Sequence, residues 1–230
     1  MKALIYKEFK LAMHPICYVF IAMFPFMILI PSYPLAIGFV YVLSCYPILF
    51  LGANKGQQSN DLLYSTLLPI RKKDIVLARI ITVLVMQLAF MLITSALAPL
   101  AYYMQQNVII EDSGEHLVSP GIPLEGFVSL LGIAIIGFAI ADLIFFPIYY
   151  KNGKSIVLST LMTILGFIIY LGIFTIAFPY IPGFEWYGKF LWGSGLGVQF
   201  IVLGVAIVIS FFVHLLAYKI SAKRLEQVDF

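Results

Sequence analysis

The sequence predicts an all-α membrane protein: six transmembrane helices, an interfacial helix before them, and both termini on the cytoplasmic side. Three observations lead there. Hydrophobic residues make up 62% of the 230-residue chain and charged residues only 11%; a soluble domain carries about 25% charged residues and needs them to cover its surface. Apolar runs long enough to cross a bilayer recur along the chain. The basic residues gather on one side of those runs.

The first fourteen residues, MKALIYKEFKLAMH, are amphipathic. On a helical wheel Ile5, Tyr6, Phe9, Ala12 and Met13 share one side, while Lys7, Glu8 and Lys10 lie off it. That pattern fits a helix lying in the membrane interface over residues 1–14; a frayed cytosolic tail is the alternative. The apolar run that follows is too long for a signal peptide and lacks a small-residue cleavage site, so it is expected to be retained.

An α-helical span needs about twenty apolar residues at 1.5 Å of rise each. Six segments qualify, at 15–32, 34–53, 76–103, 124–150, 156–178 and 197–218. Pro31-Ser32-Tyr33-Pro34 separates the first two, and Pro34 suits the first turn of a helix, where its missing N–H costs nothing. Cys17 and Cys45 both fall inside apolar runs, which makes them small hydrophobes rather than a disulfide scaffold. With an even number of spans and the termini inside, thirteen of the fourteen basic residues face the cytoplasm and only Lys189 lies outside. The outer loops hold Glu111, Asp112, Glu115, Glu125 and Glu185.

The first inner loop is ANKGQQSNDLLYSTLLPIRKKDIVLARI. Ser59 or Asn60 can cap a short helix to about Leu68, which Pro69 ends, with Leu62, Leu63 and Leu67 near one face. A second helix then starts near Arg71 and continues into the third span, with Arg79 placed to snorkel toward the headgroups. By pattern alone the short helix is either a lipid contact, its lysines on anionic headgroups, or a docking knob for a cytosolic protein.

The run LLYSTLLPIRKKDIVLARI resembles a loop of ABC-2 type transporter permeases, in which an acidic-leucine helix leads into a Pro-Ile-basic segment. The matching positions are Asp61, Leu62, Leu63, Ser65, Leu67, Leu68, Pro69, Ile70, Arg71, Asp74, Ile75, Val76, Ala78 and Arg79. The architecture is similar over the whole chain, so 1–230 reads as a single domain of this kind; the specific motif covers about twenty residues. The resemblance implies a coupling helix, received by a cleft of a separate ATPase subunit, with Asn60, Asp61, Leu62, Leu63, Tyr64, Ser65, Leu67, Leu68 and Pro69 as docking residues. It adds the second inner turn, Lys151, Asn152, Gly153 and Lys154, to that contact.

The resemblance also implies a second permease copy, identical or related, a bacterial cytoplasmic membrane and the transport subunit of an exporter rather than an enzyme. ATP and Mg would sit on the partner ATPase, with no cofactor on this chain and no nucleic acid. Small stand-alone permeases of this kind resemble exporters of amphipathic or antimicrobial peptides, among them the phenol-soluble modulin exporters and bacteriocin self-protection systems. The aromatic and aliphatic spans fit such a cargo.

Gly153-Lys154-Ser155 invites a phosphate-loop reading, but that motif needs a Gly five positions earlier, where Ile148 stands. Asp142 is the one acid well inside a span, nine residues or about 13 Å along the helix from Lys151. Such a group faces a bundle interior or wet cavity, giving a translocation-path or packing role, or else it bonds a neighbouring Ser or Thr. Gln87 and Gln199 are expected to cross-link helices, and His14, His116 and His214 are scattered, with no carboxylate partner at metal spacing. Gly193 and Gly197 form a small-xxx-small pair that allows close helix contact.

The last outer loop carries Phe184, Trp186, Tyr187, Phe190 and Trp192. These form an aromatic belt or a re-entrant segment at the outer interface; in the ABC-2 family the similar region helps close the exit. Two other functions stay open on residues alone. A secondary transporter would need coupling residues at mid-membrane and a repeat between halves, and a membrane assembly or sensor protein would need only spans and a docking loop.

Overall fold

The computed structural model describes residues 2–12, 15–29, 70–107, 124–152, 156–173 and 196–227. These residues are helical with short turns, and there is no strand among them. The second span, most of the first inner loop and the outer loops expected from the sequence lie outside the described residues.

Helix α1, Lys2–Lys7, passes into a π-helical turn, Glu8–Ala12. Helix α2, Ile16–Met23, continues as a 3-10 segment, Phe24–Leu29. Pro25 sits at that change. Its missing N–H leaves the Ile21 carbonyl without its usual partner four residues on, and the tighter winding follows. Buried Cys17, Ile21 and Ile28 turn one side of this segment to the core.

Helix α3 runs without interruption from Lys72 to Asn107. It is opened by the Asp74 N–H donating to the Arg71 carbonyl at 2.8 Å, and Asp74 in the first turn complements the helix dipole. Thirty-six residues make about 54 Å at 1.5 Å each, more than the ~30 Å of hydrocarbon, so α3 extends past the membrane. This bears out a helix that starts near Arg71 and enters the third span as one body. Helix α4, Leu124–Asn152, helix α5, Ile156–Gly172, and helix α6, Leu196–Glu226, complete the bundle.

Among the described residues three helices are long and apolar enough to cross a membrane, over Lys72–Tyr103, Phe127–Lys151 and Gly197–Glu226; Ile16–Leu29 and Ile156–Gly172 are shorter apolar helices. The α4–α6 pairing is the most extensive, and α4 also packs on α5 and α3. Lipid tails are as apolar as leucine, so helices here associate through close packing and internal hydrogen bonds. A Cβ added at Gly132 of α4 would lie 3.4 Å from the Ala206 Cβ of α6. At Gly137 it would lie 2.8 Å from the Phe167 ring and 2.9 Å from Tyr170 of α5. Around that approach Phe90 meets Phe138 edge-on and Phe138 stacks on Phe167, with ring centroids 6.2 and 6.3 Å apart. At Gly197, by contrast, no described atom comes within 4 Å of the added Cβ.

Hydroxyl groups inside the helices bond their own backbone, as Thr82 to the Ala78 carbonyl, Thr94 to Phe90 and Thr163 to Ser159. This satisfies a donor where no water is present. The outward faces of α5 and α6 carry exposed Leu161, Leu165, Phe200, Ile201, Phe211 and Phe212, which suits contact with hydrocarbon.

Candidate functional site

Among the described residues two polar clusters interrupt the apolar bundle, and each ties helices distant in sequence. The first is built on Arg79, two turns into α3. Its Nε donates to Glu8 Oε2 at 2.8 Å and its Nη2 to Glu8 Oε1 at 3.2 Å, while Nη1 donates to the Tyr149 hydroxyl at 3.2 Å. The guanidinium also lies 5.9 Å from the Tyr149 ring centroid. Two parallel N–H bonds match the planar fork to the carboxylate, the strongest geometry open to such a pair.

Both expectations for these residues are overturned. Arg79 does not snorkel to the headgroups: it is 4% exposed and Glu8 is 3% exposed. A wheel drawn for an isolated α-helix puts Glu8 off the apolar side, but Glu8 begins the π-helical turn, where the angular step changes. A buried guanidinium is tolerated only with a partner, and Glu8 supplies it. Lys7 approaches the same carboxylate at 3.8 Å from a more exposed position. On the same side of the bundle, Arg224 of α6 donates to the Pro147 carbonyl of α4 at 2.7 Å, tying the ends of those two helices.

The second cluster joins α3, α4 and α6. Gln87 Nε2 donates to Asp142 Oδ2 at 2.9 Å, and His214 Nε2 lies 2.9 Å from the same oxygen. The other ring nitrogen, His214 Nδ1, is 2.7 Å from the Ser210 carbonyl and 3.2 Å from the Ser210 hydroxyl. Asp142 has no exposed surface and His214 is 7% exposed. Gln87 therefore cross-links helices as expected, and Asp142 faces the bundle interior. The histidine reading concerned metal spacing alone and left this pairing out: His214 meets a carboxylate 72 positions earlier in the chain. The pair gives no metal site; among the described residues no group of three His, Cys, Asp or Glu could hold an ion.

A signal for His214 was present in α6. Gln199, Ala206, Ser210, His214, Ala217, Ser221 and Leu225 recur at steps of three, four or seven, and all are buried. In a membrane helix the small and polar stripe turns inward and the large apolar residues turn to lipid, the reverse of a soluble helix.

An apolar cavity of about 50 Å³ lies between the 3-10 segment, α3, α4 and α5, with Ile28, Phe90, Phe138, Phe167 and Tyr170 among its walls. The Tyr170 hydroxyl donates to the Ile133 carbonyl at 2.8 Å.

Of the other residues singled out in the sequence, Lys151 is exposed near the end of α4 and Asn152 is its last residue. Asn60, Asp61, Leu62, Leu63, Tyr64, Ser65, Leu67, Leu68, Pro69, Gly153 and Lys154 lie outside the described residues, as do Phe184, Trp186, Tyr187, Phe190 and Trp192.

No curated protein and no solved structure matches the chain. A family model described as ABC-2 family transporter protein matches residues 3–223, nearly the whole length and every described helix. Long apolar helices, polar groups turned inward and this match agree: the chain belongs to the ABC-2 transporter family and is a multi-pass membrane permease of an ABC transporter.

Proposed function

We propose that this permease is one half of an ATP-driven exporter with six spans and cytoplasmic termini, working in a bacterial cytoplasmic membrane. A second copy or a related chain completes the pathway. Separate ATPase subunits, which hold ATP and Mg, dock on Asn60–Pro69 and on the turn Lys151–Lys154. The observation that supports this most is the continuity of α3. It leaves the docking segment at Lys72 and runs through the membrane to Asn107 as one helix, and Arg79 fastens its first turns to Glu8 and Tyr149. A push on residues 60–69 is then carried into α1, α3 and α4 together. Amphipathic or antimicrobial peptides are the cargo class that suits the aliphatic and aromatic spans, with Phe184, Trp186, Tyr187, Phe190 and Trp192 closing the outer end. Asp142 lies within the helices that frame the path.

The test is co-purification of the full chain with the ATPase encoded beside it, in native membranes. Wild type should retain the ATPase, and Leu67→Asp/Leu68→Asp should lose it while keeping its expression and melting behaviour. ATPase retained by that variant, or export proceeding normally through it, removes the docking assignment. Transport by the chain alone in a proton gradient would replace the ATP-driven reading.

A further inference from the structure

Hydrogen-bond valence at the three-helix junction counts protons. A carbonyl oxygen only accepts, so His214 Nδ1, 2.7 Å from the Ser210 carbonyl, carries a proton. Gln87 donates to Asp142 Oδ2, and that same oxygen is 2.9 Å from His214 Nε2. A bare ring nitrogen facing an ionised carboxylate oxygen at that distance would set two lone pairs against each other. One proton therefore lies between Nε2 and Oδ2, whether on the imidazolium or on the carboxyl. In either form the pair is neutral overall, which is the condition for burying it away from water.

We propose that the Asp142–His214 pair is a proton-binding site of the permease, occupied while α3, α4 and α6 are packed as here and emptied to water when those helices part. Separated and hydrated, an ordinary Asp with pKa near 3.9 stays ionised and an ordinary His with pKa near 6.5 loses its second proton above that pH. At pH 7.5 parting the pair thus releases about 0.9 of a proton, and at pH 5 it releases almost none. Each unit of pH above about 6.5 therefore favours the parted arrangement up to tenfold.

From α3 the pair meets Gln87, which does not titrate, and Arg79 of that helix is held by Glu8. On α4 Tyr149 binds Arg79, and on α5 the Tyr170 hydroxyl is bound to the Ile133 carbonyl. On α6 Tyr218 is four residues on from His214. The proposal stands independently of ATPase docking, since it concerns one chain and its own helices.

The test uses the full-length chain in lipid nanodiscs, with His14→Gln/His116→Gln so that His214 is the one remaining imidazole. Nitrogen NMR then reads its ring protonation from pH 5 to 8, and infrared spectroscopy looks for a protonated carboxyl band that Asp142→Asn abolishes. A doubly protonated ring, or a singly protonated ring with that carboxyl band, persisting at pH 7.5 supports the site. A singly protonated ring without the band at pH 7.5, or a titration centred near 6.5, overturns it. Thermal melting gives a second arm. The stabilisation of wild type over Asp142→Asn/His214→Gln, which lacks both titrating groups, should be level from about pH 4.5 to 6 and shrink above about 6.5, because the unfolded histidine gives up the proton that the folded pair keeps. A difference constant from pH 5 to 9 overturns the proposal as well.

Discussion

The two polar clusters solve the burial of charge differently. At Glu8–Arg79–Tyr149 a guanidinium, which cannot lose its proton, meets a carboxylate through two parallel bonds and a third to a phenol. At Gln87–Asp142–His214 a carboxylate meets an imidazole, and the pair depends on one exchangeable proton. The first is a fixed fastener between the N-terminal helix and the start of α3. The second is a junction of three helices whose stability can change within the physiological pH range. The difference lies in side-chain chemistry, since both clusters are almost fully buried.

The largest effect should come from breaking the fixed fastener on one side. Arg79→Met leaves the Glu8 carboxylate buried without its partner, at a cost of about 3–5 kcal/mol, and Glu8→Gln/Arg79→Met should recover most of that loss. Detergent-solubilised melting of the two variants and wild type reads the contrast; a double variant no better than Arg79→Met would mean that the pair is more than a neutralised charge. Removing the whole pair, in Asp142→Asn/His214→Gln, should cost less, about 1–3 kcal/mol, because no charge is left buried without a partner. Between pH 5 and 9 the difference between wild type and Glu8→Gln/Arg79→Met should be constant, since neither Glu nor Arg titrates there in water. The loss in Asp142→Asn/His214→Gln should fall as pH rises above about 6.5, and parallel profiles would erase the distinction.

Two smaller changes bracket the clusters. Gly137→Ala would press a methyl against the Phe167 and Tyr170 rings and should lower stability by about 1–3 kcal/mol, at a site bearing no charge. Phe212→Leu on the lipid-facing side of α6 should stay within about 0.5 kcal/mol, and a larger loss would show that a protein surface covers that face.

Much of the fold was legible because bilayers constrain sequences strongly. Four of the apolar runs overlap α3, α4, α5 and α6, and the helix start near Arg71 was visible from Pro69. Asp142 stood out because an acid inside a span is costly, and Gln87 because an amide there needs a partner. The partner of His214 and the burial of Glu8 were missed for separate reasons. A pairing across 72 positions leaves no trace in local spacing, although the inward stripe of Ser210, His214 and Ser221 marked that face. For Glu8, a wheel assumes regular α-geometry and a lone helix, and neither holds where the π-helical turn meets α3.

Composition and hydrophobic run length by themselves determined that this chain lives in a membrane as helices, because no other backbone arrangement of such segments satisfies its hydrogen bonds in lipid without closing a barrel. The motif around Pro69 pointed to the family that the match over 3–223 established. Only the tertiary structure decided which ionisable groups met. In lipid each buried charge must find a partner, and helix packing, rather than position in the chain, brings Arg79 to Glu8 and His214 to Asp142.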